Sequence, residues 1–122
     1  MRTKVGTFRY PVEIHSAKGE RSEELRPWVD TGALYSRFPT AILEELGYKP
    51  NASRSFRLAD GRVVERPIGD IIVRVGAEVR TTTCVFGEEG SEPLLGAVTL
   101  EQFGLAPDPI NETLVPVVAM LL

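Results

Sequence analysis

The chain has 122 residues, of which 43% are apolar and 25% charged, with a formal net charge of −3; this suits one domain over residues 1–122 built on one modest core. Lys and Arg are scattered, with no basic run and no interleaved aromatic ladder, which argues against binding to nucleic acid or to an anionic membrane surface. A lone cysteine, Cys84, rules out an intrachain disulfide, and with a single histidine, His15, it cannot complete a four-ligand zinc site.

From the N-terminus, Met1 to Val12 is charged and alternating rather than continuously apolar, so it does not read as a secretory leader, and a reducing cytoplasm is the expected compartment. Phe8, Tyr10, Val12 and Ile14 alternate with polar neighbours, the period of a strand with one buried face. Pro11 within it points to an edge or a bulge. Ser16 to Ser22 reads as a turn leading into a second strand at Leu25 to Val29, and the two strands form a hairpin. Pro39 to Leu46 carries Ile42, Leu43 and Leu46 at helical spacing, with Gly47 as its stop.

Ser53 to Leu58 and Arg62 to Arg66 flank Ala59-Asp60-Gly61, where Asp-Gly supplies the positive φ angles of a tight turn, so a projecting hairpin is expected. Ile68 to Val75 and Val79 to Phe86, rich in β-branched residues and separated by Gly76-Ala77, predict a second hairpin. Gly87 to Glu92 is a polar, solvated loop. Pro93-Leu94-Leu95 is a brief buried strand ending at Gly96, Val98 to Phe103 a short helix stopped by Gly104, and Leu114 to Ala119 a last strand. The apolar run Val117 to Leu122 is far short of a membrane span and reads as a strand end or a dimer-facing tail. Many strands, two short helices and no βαβ alternation predict an all-β, closed architecture.

Chemistry concentrates in Trp28-Val29-Asp30-Thr31-Gly32-Ala33, where a carboxylate leaves an apolar strand and enters a turn made of a hydroxyl residue and a glycine. The glycine lets the backbone fold tightly and bring N–H groups to the carboxylate, and the Thr hydroxyl can lock the loop. Two such loops face to face would place two carboxyls close enough to share one proton, because adjacent like charges do not both ionise cheaply. A second apolar-apolar-Gly element, Leu94-Leu95-Gly96, lies downstream and enters a helix. The remaining candidates read as structural: Trp28 as packing beside Pro27, His15 as a solvated strand end, Cys84 as an inert core thiol, and Asp60 as a turn residue.

In Val29-Asp30-Thr31-Gly32-Ala33, Leu58-Ala59-Asp60-Gly61 and Pro93-Leu94-Leu95-Gly96-Ala97-Val98-Thr99-Leu100-Glu101, with the tail pieces Phe103-Gly104-Leu105, Asp108-Pro109-Ile110-Asn111 and Leu114-Val115-Pro116, the chain resembles the retropepsin-like aspartic peptidases, in particular their small single-domain bacterial members. The resemblance runs from Leu25 to Val117 in the family's order. It implies a pepsin-like β-barrel lobe with Asp30 as catalytic acid, Thr31, Gly32 and Ala33 shaping its loop, and a flap formed by Leu58, Ala59, Asp60, Gly61 and Arg62. Leu94, Leu95 and Gly96 would pack behind the catalytic loop. With one Asp-Thr-Gly per chain, the resemblance implies a homodimer that hydrolyses peptide or protein substrates with an activated water and needs no metal or organic cofactor. Retroviral members often carry Arg where this chain has Ala97, so the dimer would be held in another way. The alternative is a catalytically silent peptide-binding or assembly module on the same fold.

Overall fold

Alternating burial seats the first strand. In the computed structural model, which describes residues 8–122, β1 (Val12–His15) buries Val12 and Ile14 and turns Glu13 and His15 outward. The residues before Phe8 lie outside the described range, so the leader reading is untouched. Pro11 sits where the strand breaks from the preceding segment. Ser16 closes the following turn, its Oγ accepting the N–H groups of Glu20 and Arg21, each at 3.0 Å, and β2 (Ser22–Leu25) returns antiparallel to β1.

Here the expected strand at Leu25 to Val29 is corrected. Pro27 has no N–H to give to a ladder and a fixed φ, so the segment splits: β2 ends at Leu25, and Trp28–Val29 forms a separate β3 with a different partner. The strand β4 (Ser36–Pro39), not anticipated from sequence, then leads into α1 (Thr40–Glu45). Leu43 and Leu46 of this turn of chain are buried, and Gly47 leaves it at φ 92°, the left-handed conformation that favours glycine.

A second correction concerns the middle of the chain. Arg62 to Arg66 and Ile68 to Val75 are not separate strands but one, β6 (Val63–Val75), of 13 residues. Its first half pairs with β5 (Ala52–Arg57) and its second half with β7 (Glu78–Gly87) and β1. Pro67 falls just before Ile68, the residue where β6 exchanges β5 for β7, so a missing donor is tolerated in mid-strand. Beyond β8 (Leu94–Leu95) and α2 (Ala97–Gln102), the chain ends in a hairpin of β9 (Leu105–Asp108) and β10 (Thr113–Pro116). β9 was not expected, and the last strand is shorter than the predicted Leu114 to Ala119, since residues 117–122 are outside any strand.

The main sheet runs β2-β1-β6-β7-β4-β8-β3, with β5 attached to β6. It is mostly antiparallel, with β4 parallel to β7 and β3 parallel to β8. It curls so that β3, at one end, bonds back to the segment that enters β1, one strand in from the other end: the Val29 N–H donates to Phe8 O at 2.8 Å and the Tyr10 N–H to Pro27 O at 3.0 Å. The result is the all-β, barrel-like architecture with two short helices expected from the sequence. Phe38, Phe86, Leu43, Ile14, Ile71 and Leu95 fill its interior, each such side chain contributing about 2 kcal/mol relative to an exposed position. Cys84 is part of this core, and burial pushes its thiol pKa up to about 12, which leaves it protonated and inert as read from the sequence. Tyr48 ties the sheet to the residues after α1, its hydroxyl donating to His15 O at 2.6 Å and accepting from the Ile72 N–H at 3.1 Å. Among the described residues no helix is long and apolar enough to cross a membrane.

Candidate active site

Apolar Val29 drags the start of the Asp30 loop into the core. Val29 is buried, paired in parallel register with Leu95, and Asp30 follows as the chain leaves the strand. The Asp30 N–H donates to Leu95 O at 3.0 Å and the Trp28 N–H to Pro93 O at 3.0 Å, so one edge of the short β3 is anchored on the β8 segment at both its ends. Asp30 is only 6% exposed. Its Oδ1 accepts the Gly32 N–H at 3.0 Å, and its carbonyl accepts the Ala33 N–H at 3.1 Å. The turn thus brings a backbone donor onto the carboxylate, as the Asp-Thr-Gly pattern requires. Thr31 and Gly32 stand exposed at the crest of the loop, and Ala33 is half-buried.

Leu94, Leu95 and Gly96 lie directly against this loop. The Ala97 and Val98 N–H groups at the start of α2 donate to Ala33 O (2.9 Å) and Leu34 O (3.0 Å). A Cβ placed on Gly96 would come within 2.6 Å of Tyr35 C, 2.7 Å of Tyr35 O and 2.9 Å of Ala33 O; only glycine allows the two backbones to pass so closely.

Behind them lies a feature that sequence reasoning missed. The Ser36 Oγ accepts the Gly96 N–H at 3.0 Å and hydrogen-bonds Thr99 Oγ1 at 2.6 Å, which in turn bonds Thr82 Oγ1 at 2.8 Å. These three hydroxyls, from β4, α2 and β7, are essentially inaccessible to solvent and join the elements that carry the loop. Buried hydroxyls are costly unless paired, so the chain of bonds fixes one arrangement. No local pattern marks Ser36, Thr82 or Thr99 in the sequence. Thr99→Val keeps the volume and leaves Ser36 and Thr82 short of a partner. We expect it to lower unfolding free energy by about 2 kcal/mol, read as a lower urea midpoint at unchanged slope, whereas an unchanged midpoint would show the network to be dispensable.

Opposite the loop, β5 and β6 form the projecting hairpin. The Leu58 N–H donates to Arg62 O (2.8 Å) and the Gly61 N–H to Leu58 O (2.9 Å), leaving Ala59, Asp60 and Gly61 as the loop. The expectation of positive φ at both Asp60 and Gly61 is corrected: Gly61 alone has it, at φ 90°. A loop of this length reverses the chain with a single left-handed glycine. Asp60 instead holds the turn through its carboxylate, which accepts the Arg62 N–H at 3.0 Å and Nε at 2.7 Å. These bonds hold its pKa below the usual carboxylate range.

Between hairpin and loop lies a cleft of about 460 Å³. Gly32, Ala33, Leu34 and Tyr35 line one wall, Phe56, Leu58 and Val64 the other. Tyr35 and Phe56 meet edge to face across it, with ring centroids 5.9 Å apart. Leu34 is 62% exposed within it, a large apolar side chain offered to whatever enters. The wall begins at Gly32, two residues beyond Asp30.

Trp28 packs outside this cleft beneath the Arg9 guanidinium, 4.3 Å from its ring centroid, and Arg9 also pairs with Glu92 at 3.0 Å. The acidic loop after β7 is solvated as read, with Glu88 paired to Arg66 at 2.8 Å. Among the described residues, no group of three or more His, Cys, Asp or Glu side chains is placed to hold a metal ion.

Compared by sequence, the chain matches no family model and no curated protein. Compared by structure, it is similar to the solution structure of the simian foamy virus (mac) protease, with a TM-score of 0.56 and 18% identity over 79% of this chain and 94% of that one. The fold is therefore retropepsin-like.

Proposed function

We propose that the chain is an aspartic endopeptidase that works as a homodimer in the cytoplasm, with Asp30 of each copy forming one catalytic pair. The observation that carries this reading is a nearly buried carboxylate, on a turn with its own N–H donor, beside a cleft in a retropepsin-like fold. Exposed apolar surface at Val118 (98%) and Leu121 (97%), together with the exposed crest of the Asp30 loop, supports association of two copies.

In the assembled site the two carboxyls share one proton. The ionised one accepts a proton from a water as its oxygen attacks the scissile carbonyl carbon, and the protonated one donates a hydrogen bond to the carbonyl oxygen. The tetrahedral intermediate collapses as the C–N bond breaks and the nitrogen takes up a proton, releasing an acid and an amine. Thr31, Gly32 and Ala33 hold the carboxylate in place, Leu94, Leu95 and Gly96 support them from behind, and the hairpin at Leu58, Ala59, Asp60, Gly61 and Arg62 closes over an extended peptide that pairs with backbone.

Titration with a peptide bearing a hydroxyl-containing mimic of the tetrahedral centre tests the reading. Saturation at one ligand per two chains, with the affinity gained from the mimic's hydroxyl over a plain peptide lost on replacing Asp30, supports it. A mimic bound no tighter than a plain peptide, with or without Asp30, would instead make the chain a peptide-holding module.

A further inference from the structure

The cleft carries a charge opposite to that of the molecule. The whole chain has a formal net charge of −3, yet the charged lining of the cleft consists of Arg37, Arg57 and Arg66 against the single carboxylate Glu88. Glu88 is not aimed at a ligand: it is 67% exposed and paired to Arg66 at 2.8 Å. Arg57, on the hairpin arm, donates one N–H to Gly61 O at 3.0 Å, and a guanidinium has five donors in a fork that suits a carboxylate. Arg54, on the same strand, lies 5.8 Å from the Tyr35 ring that forms the facing wall. Apolar contact and positive charge thus share one groove, which Leu34, Tyr35 and Phe56 line together with the arginines.

We infer that this cleft selects peptides in which an acidic side chain lies close to a bulky apolar one, the carboxylate seated by Arg57 and Arg66 and the apolar group by Leu34 and Tyr35. This rests on the peptidase reading for its turnover but not for its binding. Glu88 acts as a stand-in for the ligand carboxylate: an exposed ion pair is held weakly, so an incoming Asp or Glu displaces it from Arg66. Lysine-bearing peptides meet the arginines instead and are rejected.

The test compares matched peptides with a Tyr or Leu core that carry Glu or Lys at each nearby position in turn. Cleavage is followed with the unmodified protein, and binding by fluorescence anisotropy with the Asp30→Asn protein. At low salt, kcat/KM and affinity should favour Glu over Lys by about fivefold or more at one or more positions, shrinking as salt rises. Arg57→Glu with Arg66→Glu should reverse the preference, the milder Arg57→Gln should reduce it, and Glu88→Gln should raise the affinity of the Glu peptides. Thermal melts of each variant show that the fold is retained. Cleavage with no Glu preference, or a preference that survives the double reversal, overturns the inference and leaves the peptidase standing. Glu-selective binding without cleavage does the opposite. Neither binding nor cleavage overturns both.

Discussion

Replacing Asp30 by Asn is expected to reduce peptide cleavage by roughly 10³-fold or more while leaving the fold intact. Asn matches Asp in size, and its side-chain oxygen can still accept the Gly32 N–H that the carboxylate accepts at 3.0 Å. On the proposed mechanism, what it removes is the ability to take a proton from water, in both copies at once. Loss of kcat with an unshifted melting temperature and unchanged sedimentation is the expected result. Retained turnover would mean that the chemistry lies elsewhere in the chain.

Gly96→Ala is expected to be the most disruptive small substitution, costing about 3 kcal/mol of unfolding free energy. The added methyl meets the Tyr35 and Ala33 backbones at 2.6 to 2.9 Å, and backbone cannot swing aside as a side chain can. Any shift of Gly96 that relieves the clash also disturbs the bond from its N–H to Ser36 Oγ, and with it the buried hydroxyl chain. Activity should fall together with stability, because the same residues hold the loop after Asp30. Contrast with Gly61→Ala separates this from a generic glycine effect. At Gly61 nothing lies within 4 Å of the added Cβ, and only the φ of 90° is strained. A Gly96→Ala protein with wild-type denaturation would show that the two segments part more easily than their spacing implies.

What could be read from the sequence was local. The turn at Asp30, the helix stops at Gly47 and Gly104, and the reversal at Gly61 each depend on a few neighbouring residues, and their chemistry names them. What could not be read depends on distant partners. The split at Pro27 follows from Trp28 and Val29 pairing with Leu94 and Leu95, far along the chain. β4 is four residues long, starts with a polar Ser36 and ends with Pro39, so no alternation announces it; it is a strand because Cys84 to Gly87 runs beside it. β9 likewise contains Pro107 and exists through its pairing with β10. The continuity of β6 across Pro67 was hidden by the proline itself. Within the candidate site, the carboxylate and the glycine against its loop were legible as motif residues, whereas the Ser36, Thr99 and Thr82 hydroxyls were not. A buried hydroxyl is indistinguishable from a solvated one until the elements that carry it have met.

On the proposed reading, each copy holds half of a catalytic pair. The most direct measurement is a crystal structure of the assembled particle, read for the separation of the two Asp30 carboxyl groups across the symmetry axis. Oxygens within about 3 Å of each other, close enough to share a proton, are predicted. Carboxyls held beyond about 10 Å, out of reach of a single bridging water, would contradict it.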